Sequence, residues 1–287
     1  LVHCVTIISM TNKHEGQRKK AVIVPLLIIS LLLVALFRVP LGVASWKVFR
    51  APSIALFLNP DAALALEIGN RYFNVGLPAM PVHAGQAGGS DAYDLDKAEK
   101  YFNKALTLDP LAPDAWHQLS RIDFLRGNFS AALSKINTQF ELHGDSLMAS
   151  YYIRGLIEGY SGDYENAEKD FLKFFAWDKT NWAVYNDLSW VYFKEGRYKD
   201  ARRVADGGLA YHPNNPWLLN MAGVSRLNLD DKKNARIYFQ KALWWADTMT
   251  ESDWQKAYPG NAPYTSGQGI IEMKEAIRAN LDLAVDK

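Results

Sequence analysis

A pattern of small and aromatic residues that recurs about every 34 positions constrains this chain more than any other feature. Glycine stands five residues before three of the repeated alanines, and an aromatic residue follows each glycine by two. A period of this length predicts a supersecondary unit that cannot bury its apolar face alone, so neighbouring units must stack. The alanines that define the register, at spacings of 34, 35, 34 and 34, are Ala98, Ala132, Ala167, Ala201 and Ala235.

The residue types in each unit predict two helices joined by a tight turn. Small residues let two helices approach closely, and aromatic residues fill the space between neighbouring units. Gly127, Gly162 and Gly196 suit a left-handed turn between the helices, because glycine has no side chain to clash there. Pro110 and Pro213 stand where two of the units end, since proline cannot continue a helix. The predicted fold is therefore an all-α helix–turn–helix solenoid.

This register resembles the tetratricopeptide repeat family, whose unit is a 34-residue helix–turn–helix. In the best unit, the residues at family positions are Tyr185, Leu188, Tyr192, Gly196, Tyr198, Ala201 and Pro213. Asp230 replaces the turn glycine of the last unit. The resemblance covers roughly residues 60–249 and implies about five repeats, the first of them split by an insertion. The four regular units are 113–146, 148–181, 182–215 and 216–249.

Composition divides the rest of the chain. A stretch rich in Gly, Pro and Ala interrupts the first unit, and an amphipathic pattern through Ile270, Met273, Ile277 and Leu281 predicts a helix that caps the last unit. The predicted domains are a basic tail at 1–20, a transmembrane helix or signal anchor at 21–38, a linker or interfacial segment at 39–60, the solenoid at 61–249 with an inserted loop at 76–92, and a loop with a C-terminal capping helix at 250–287.

An apolar run near the start predicts a membrane anchor. Residues 21–37 read AVIVPLLIISLLLVALF without a charge and would span ~25 Å as a helix. The basic residues before the run outnumber those shortly after it, which favours a single-pass protein of the bacterial inner membrane with its body on the non-cytoplasmic side. The alternative is a cleaved signal peptide, with small residues at 42–45 as the cleavage site and a secreted or periplasmic product.

Charge and motifs argue against several classes of function. Residues 1–50 carry a net charge of +6 and residues 51–287 a net charge of −5, so the body lacks the basic balance that nucleic acid binding needs. The one cysteine, Cys4, permits no intramolecular disulfide. The six histidines are scattered, and no phosphate-binding glycine loop or nucleophile elbow occurs. We therefore expect no catalytic site, metal, cofactor or small-molecule substrate.

The family resemblance implies where a partner would bind. In that family, the inner faces of the first helices line a concave groove that takes peptides or partner helices. Asn186 and Asn220 are equivalent positions one unit apart, and their amides would bond a peptide backbone, while aromatic side chains would anchor it. The open alternative is that Tyr152 and Trp190 only pack between helices. Mapped through the register, the predicted groove residues are His117, Arg121, Tyr152, Tyr160, Asn186, Trp190, Lys194, Trp217 and Asn220.

The resulting functional hypothesis is a membrane-anchored scaffold or adaptor that binds partner proteins in a cell-envelope assembly. Two alternatives stay open. One is a permanent structural subunit of a membrane protein complex, with the groove filled by a neighbour or by loop 76–92. The other is an accessory subunit that recruits substrate to an enzyme.

Overall fold

The computed structural model describes residues 32, 35–73, 93–258 and 260–285. Over these residues the structure is helical apart from turns and one isolated antiparallel bridge between Phe73 and Tyr93, so the predicted all-α solenoid is confirmed. The helices are α1 (35–47), α2 (Pro52–Leu58), α3 (Ala62–Tyr72), α4 (Leu95–Leu108), α5 (Ala115–Leu125), α6 (Phe129–His143), α7 (Ala149–Ser161), α8 (Tyr164–Trp177), α9 (Trp182–Lys194), α10 (Tyr198–Tyr211), α11 (Pro216–Leu227), α12 (Lys232–Asp247), α13 (Glu251–Ala257) and α14 (Ser266–Leu283).

The chain forms two compact units, Leu1–Ile68 and Gly69–Lys287. In the first unit, the indole of Trp46 donates a 2.9 Å hydrogen bond to Glu67 Oε1, which ties α1 to α3. Gly42 of α1 lies close to Asn59, where a Cβ on the glycine would come within 2.7 Å of the asparagine Cβ. The absence of a side chain at this glycine therefore allows α1 to approach the end of α2.

The second unit consists mainly of helix pairs joined by left-handed turns. The turn glycines Gly127, Gly162 and Gly196 have φ values of 76°, 89° and 74°, which confirms the predicted conformation. Asp230 adopts the same conformation with φ 60°, and aspartate is among the residues that tolerate it best. After each turn a backbone N–H donates to a carbonyl five residues earlier, which satisfies a helix end.

In the pairs α7–α8 and α11–α12, a glycine of the first helix faces a phenylalanine of the second. A Cβ on Gly155 would lie 2.9 Å from the ring of Phe171, and one on Gly223 would lie 2.5 Å from the ring of Phe239. All five register alanines are fully buried as well. The repeat thus records close helix crossings, in which small residues set the distance and phenylalanines fill the remaining space.

We expect Gly223→Ala to lower the free energy of unfolding by about 1–3 kcal/mol, because the added methyl overpacks the crossing against Phe239. Urea unfolding followed by circular dichroism measures the change. Gly207→Ala is the matched control. Its Cβ would meet Tyr185 at 3.3 Å, and the gain in helix propensity offsets that contact. Equal losses for the two variants would contradict the assignment.

The predicted membrane localisation is wrong. No helix in the described ranges combines the length and the apolar character needed to cross a bilayer. The single-pass inner-membrane location and its secreted or periplasmic alternative are both overturned. Most of the predicted anchor, the basic tail and the whole of loop 76–92 lie outside the described residues.

Candidate partner-binding face

The first helices of four successive pairs form one continuous surface. Contacts join α5 to α7, α7 to α9, and α9 to α11. We call this surface the first-helix face. All nine groove residues predicted from the sequence lie on these four helices, but the structure gives them different surroundings.

One part of the first-helix face is an aromatic ladder made of Phe124, Tyr160 and Trp190, and the rings of Phe129 and Tyr164, from the starts of α6 and α8, pack beside it. The ring of Tyr160 lies 5.4 Å from that of Phe124 and 5.3 Å from that of Trp190, measured between centroids. Tyr160 is nevertheless 58% exposed. A Cβ on Gly159 would lie 2.9 Å from the Trp190 indole, so this glycine leaves room for the ladder. Exposed Lys194 lies one helical turn beyond Trp190.

Another part of the first-helix face is covered by Trp254, Tyr258 and Gly260. They belong to residues 250–265, which we call the C-terminal segment. The Trp217 ring stacks on Trp182 at 4.8 Å and lies 5.9 Å from each of Trp254 and Tyr258. The predicted groove residue Trp217 therefore already has an aromatic partner within the molecule.

The C-terminal segment also reaches Arg121. A Cβ on Gly260 would lie 3.2 Å from both Arg121 Nη2 and the Phe73 ring, and the positive φ of Gly260, 97°, suits only glycine well. The Arg121 guanidinium stacks over Phe73 at 4.7 Å and donates to Gln118 Oε1. Burial lowers the pKa of Arg121 to about 10. This cation is therefore enclosed by rings and backbone.

The same face contains the partly buried carboxylate of Asp187. Tyr152 donates its hydroxyl hydrogen to Asp187 Oδ2 at 2.5 Å, and Asn186 Nδ2 donates to Asp187 Oδ1 at 3.0 Å. Burial raises the pKa of Asp187 to about 6, against the opposing effect of these hydrogen bonds. Burial also raises the pKa values of Tyr152 and Tyr258, and the charge of Asp187 adds to both shifts. No sequence motif singles out Asp187, and its contact with Tyr152 identifies it.

Two further predicted residues are held inside the molecule. His117 is 5% exposed, with Nδ1 3.0 Å from Ser150 Oγ, and burial lowers the pKa of its imidazole to about 3. The side-chain oxygen Oδ1 of Asn220 accepts a 3.1 Å hydrogen bond from Nδ2 of Asn280 on α14. With Asn186 bonded to Asp187, each amide of the predicted pair has an intramolecular partner.

Tyr152 and Trp190 do pack between helices, as the alternative interpretation of the sequence proposed, but this packing involves only part of each side chain. The ring of Tyr152 lies 5.7 Å from that of Phe171 and 5.3 Å from that of Phe174. Trp190 packs at the margin of the same core cluster. Both residues therefore link the core to the first-helix face. The described residues contain no group of three or more His, Cys, Asp or Glu side chains placed to hold a metal ion.

Comparison with known proteins agrees with this architecture. The tetratricopeptide repeat model matches residues 94–110 and 149–181, which contain the whole of α4, α7 and α8. No curated protein matches the sequence significantly.

Solved structures show the same fold at low identity. A crystal structure of the MamA protein has a TM-score of 0.51 at 18% identity, over 69% of this chain and 94% of that one. MamA from Desulfovibrio magneticus RS-1, from residue 41 to its end, has a TM-score of 0.54 at 15% identity, over 66% and 96%. YrrB, described as a TPR protein with an unusual peptide-binding site, has a TM-score of 0.52 at 15% identity, over 68% and 92%. The fold is thus a tetratricopeptide-type solenoid.

Proposed function

We propose that this chain is a non-enzymatic scaffold that binds a partner protein through its first-helix face, with the aromatic ladder as the principal contact. The observation that carries the proposal is the exposure of Tyr160, 58%, between the rings of Phe124 and Trp190. An aromatic side chain fixed by neighbouring rings loses little entropy on binding and offers a large apolar area. The tetratricopeptide-type fold supports protein or peptide binding in general.

The charges on this face favour an apolar contact over a charge-driven one. Arg121 is enclosed against Phe73 and Gly260, so Lys194 is the exposed cation among the predicted groove residues. One exposed lysine contributes little in water and salt. We therefore expect the partner to present apolar or aromatic side chains to the ladder, and its affinity to depend only weakly on salt.

Site-specific photocrosslinking tests this proposal in cells of the source organism. A photoreactive residue at position 160 of the full chain is expected to form a discrete adduct with one partner. The control is the same residue at position 177, because Trp177 is similarly exposed, at 62%, but lies on the second helix α8. Adducts from both positions alike, or from neither, would contradict the proposal.

Once that partner is purified, Tyr160→Ala is expected to weaken its affinity about 10–30-fold, as is typical of an aromatic hot spot. Isothermal titration calorimetry measures the dissociation constant, and Trp177→Ala is the control. Because Tyr160 is exposed, we expect its truncation to leave the helical circular dichroism spectrum unchanged. Unaltered affinity would remove the aromatic ladder as the contact.

A permanent structural subunit is the second candidate, favoured by exposed aromatic residues elsewhere. Trp177 and Tyr211 occupy equivalent positions 34 residues apart at the ends of α8 and α10, and both are more than half exposed. Exposed apolar groups of this size often mark a protein interface. Crosslinking from position 177 but not from 160 would support this candidate over the first.

A further inference from the structure

We infer that the C-terminal segment is an intramolecular ligand of the first-helix face. We further infer that the partner element binding there carries two aromatic residues four positions apart on one helical turn. The inference rests on the proposed function, because it assigns a ligand chemistry to the same face. The inference goes beyond the proposed function in two respects. It names an aromatic pair as the group that the covered part of the face recognises, and it names the C-terminal segment as the element that the partner displaces.

The first argument is the geometry of the aromatic pair. Residues four apart on a helical turn point to the same side, and the rings of Trp254 and Tyr258 lie 4.7 Å apart. Both rings lie 5.9 Å from the ring of Trp217. Trp217 is itself backed by Trp182. The face therefore offers a stacked tryptophan pair to which a paired aromatic side of a helix is complementary.

The second argument is the path of the segment. The rings of Trp254 and Tyr258 lie against Trp217 on α11. Two residues further on, Gly260 approaches Arg121 on α5. The segment thus contacts two first helices, the first and the last of the four. A bound peptide in an extended groove makes the same kind of sequential contact.

The third argument is that the segment is weakly organised by itself. Helix α13 has seven residues and none is fully buried. An isolated helix of this length is unstable in water, so its order depends on surrounding contacts. Its local support is a capping box, in which Thr250 and Asp253 exchange hydrogen bonds, together with hydrogen bonds of the Gln255 side chain to Asn261 and Ser266. Beyond this box, Trp254 lies close against Gly269 of α14, where a Cβ would come within 2.3 Å of its indole.

Covalent connection gives the segment an advantage over a free peptide, because a tethered ligand acts at an effective concentration of about millimolar. An external ligand of the same chemistry is therefore expected to bind well only when the internal contact is weakened. This expectation distinguishes a displaceable segment from one that is a permanent part of the fold. Only a displaceable segment leaves a site that binds the same sequence when it is supplied as a separate peptide.

The test uses the full chain carrying W254A and Y258A, together with a fluorescent synthetic peptide of residues 250–265 in the natural sequence. We expect the peptide to bind this variant at least about ten-fold more tightly than the unmodified chain, as measured by fluorescence anisotropy. A peptide with both aromatics changed to alanine is the first control and is expected not to bind. A second control exchanges residues 254 and 255, which leaves the aromatics three positions apart, and is expected to bind about ten-fold more weakly.

A second variant guards against misfolding of the first. Gly269→Ala pushes Trp254 away from α14, but it changes no residue of the C-terminal segment or of the first-helix face. It is expected to increase peptide binding in the same direction, with an unchanged helical circular dichroism signal. Absence of peptide binding to both folded variants, or binding that ignores the aromatic residues, would overturn the inference.

The outcome is distinguishable from failure of the proposed function. Crosslinking from position 160 reports on the aromatic ladder without requiring the segment to leave. Crosslinking at 160 with no peptide binding would remove only the internal-ligand inference. Peptide binding with no adduct at 160 would instead remove the aromatic ladder as the partner contact.

Discussion

Phe171→Ala is expected to lower the free energy of unfolding by about 3–5 kcal/mol, because it removes a fully buried ring and leaves a cavity. The ring lies against Gly155 on one side and Tyr152 on another. It belongs to a core cluster that joins α8 and α9 and extends to α7. Its loss therefore weakens contacts both within one repeat and between neighbouring repeats.

Urea unfolding followed by tryptophan fluorescence and by circular dichroism measures this loss. Leu172→Ala is the matched control, because Leu172 is the next residue of α8 but is 42% exposed, and we expect a loss below about 1 kcal/mol. Each repeat touches mainly its neighbours, so a damaged interface lets the flanking repeats unfold separately. We therefore also expect a smaller denaturant slope for Phe171→Ala. Equal effects of the two variants would contradict the packing described.

The repeat architecture could be predicted because its physical requirements recur at a fixed spacing. Every crossing needs small residues, and the register alanines, such as Ala167 and Ala201, are fully buried as expected. Every turn needs a residue in the left-handed conformation, so glycines at a fixed spacing predict the turns. Asp230 has the same sign of φ without being glycine. The position within the repeat therefore predicts this conformation better than the residue type does.

The covered part of the first-helix face could not be predicted in the same way. Trp254, Tyr258 and Gly260 follow the last repeat, and no periodicity states which surface a later segment will contact. Their clustering with Trp217 and Arg121 depends on the path of the chain in three dimensions.

Asp187 was missed because a single acidic residue in a helix usually lies in solvent. Its burial results from a contact with Tyr152, 35 residues earlier, on the neighbouring first helix. The sequence pattern that would identify such a pair is a tyrosine in one repeat and an acidic residue at the neighbouring groove position of the next repeat. The consequence is a titratable group inside the face that the sequence assigned to partner binding.

Two buried groups on the first-helix face give opposing dependences of stability on pH. His117 has a pKa of about 3 in the folded chain against an ordinary 6.5, so the unfolded chain binds an extra proton between these values and stability falls as pH decreases below 6.5. Asp187 has a pKa of about 6 against an ordinary 3.8, so the folded chain binds the extra proton and stability falls as pH rises from 3.8 to 6. Between pH 7 and 4.5 the two effects partly cancel.

Substitution of either group is expected to leave the pH dependence of stability that the other group causes. On going from pH 7 to 4.5, Asp187→Asn is expected to lose about 2 kcal/mol more stability than the unmodified chain, and His117→Asn about 2–3 kcal/mol less, since one pKa unit corresponds to about 1.4 kcal/mol. Urea unfolding across this pH range measures both slopes. Ile157→Val is the control, because Ile157 is buried but takes no part in the hydrogen bonds of His117 or Asp187. This variant is expected to lower stability equally at every pH, without changing the slope. Parallel curves for all three variants would show that neither His117 nor Asp187 retains its buried environment. Opposite slopes would instead show that the Tyr152–Asp187 pair and the His117–Ser150 contact are both present in solution.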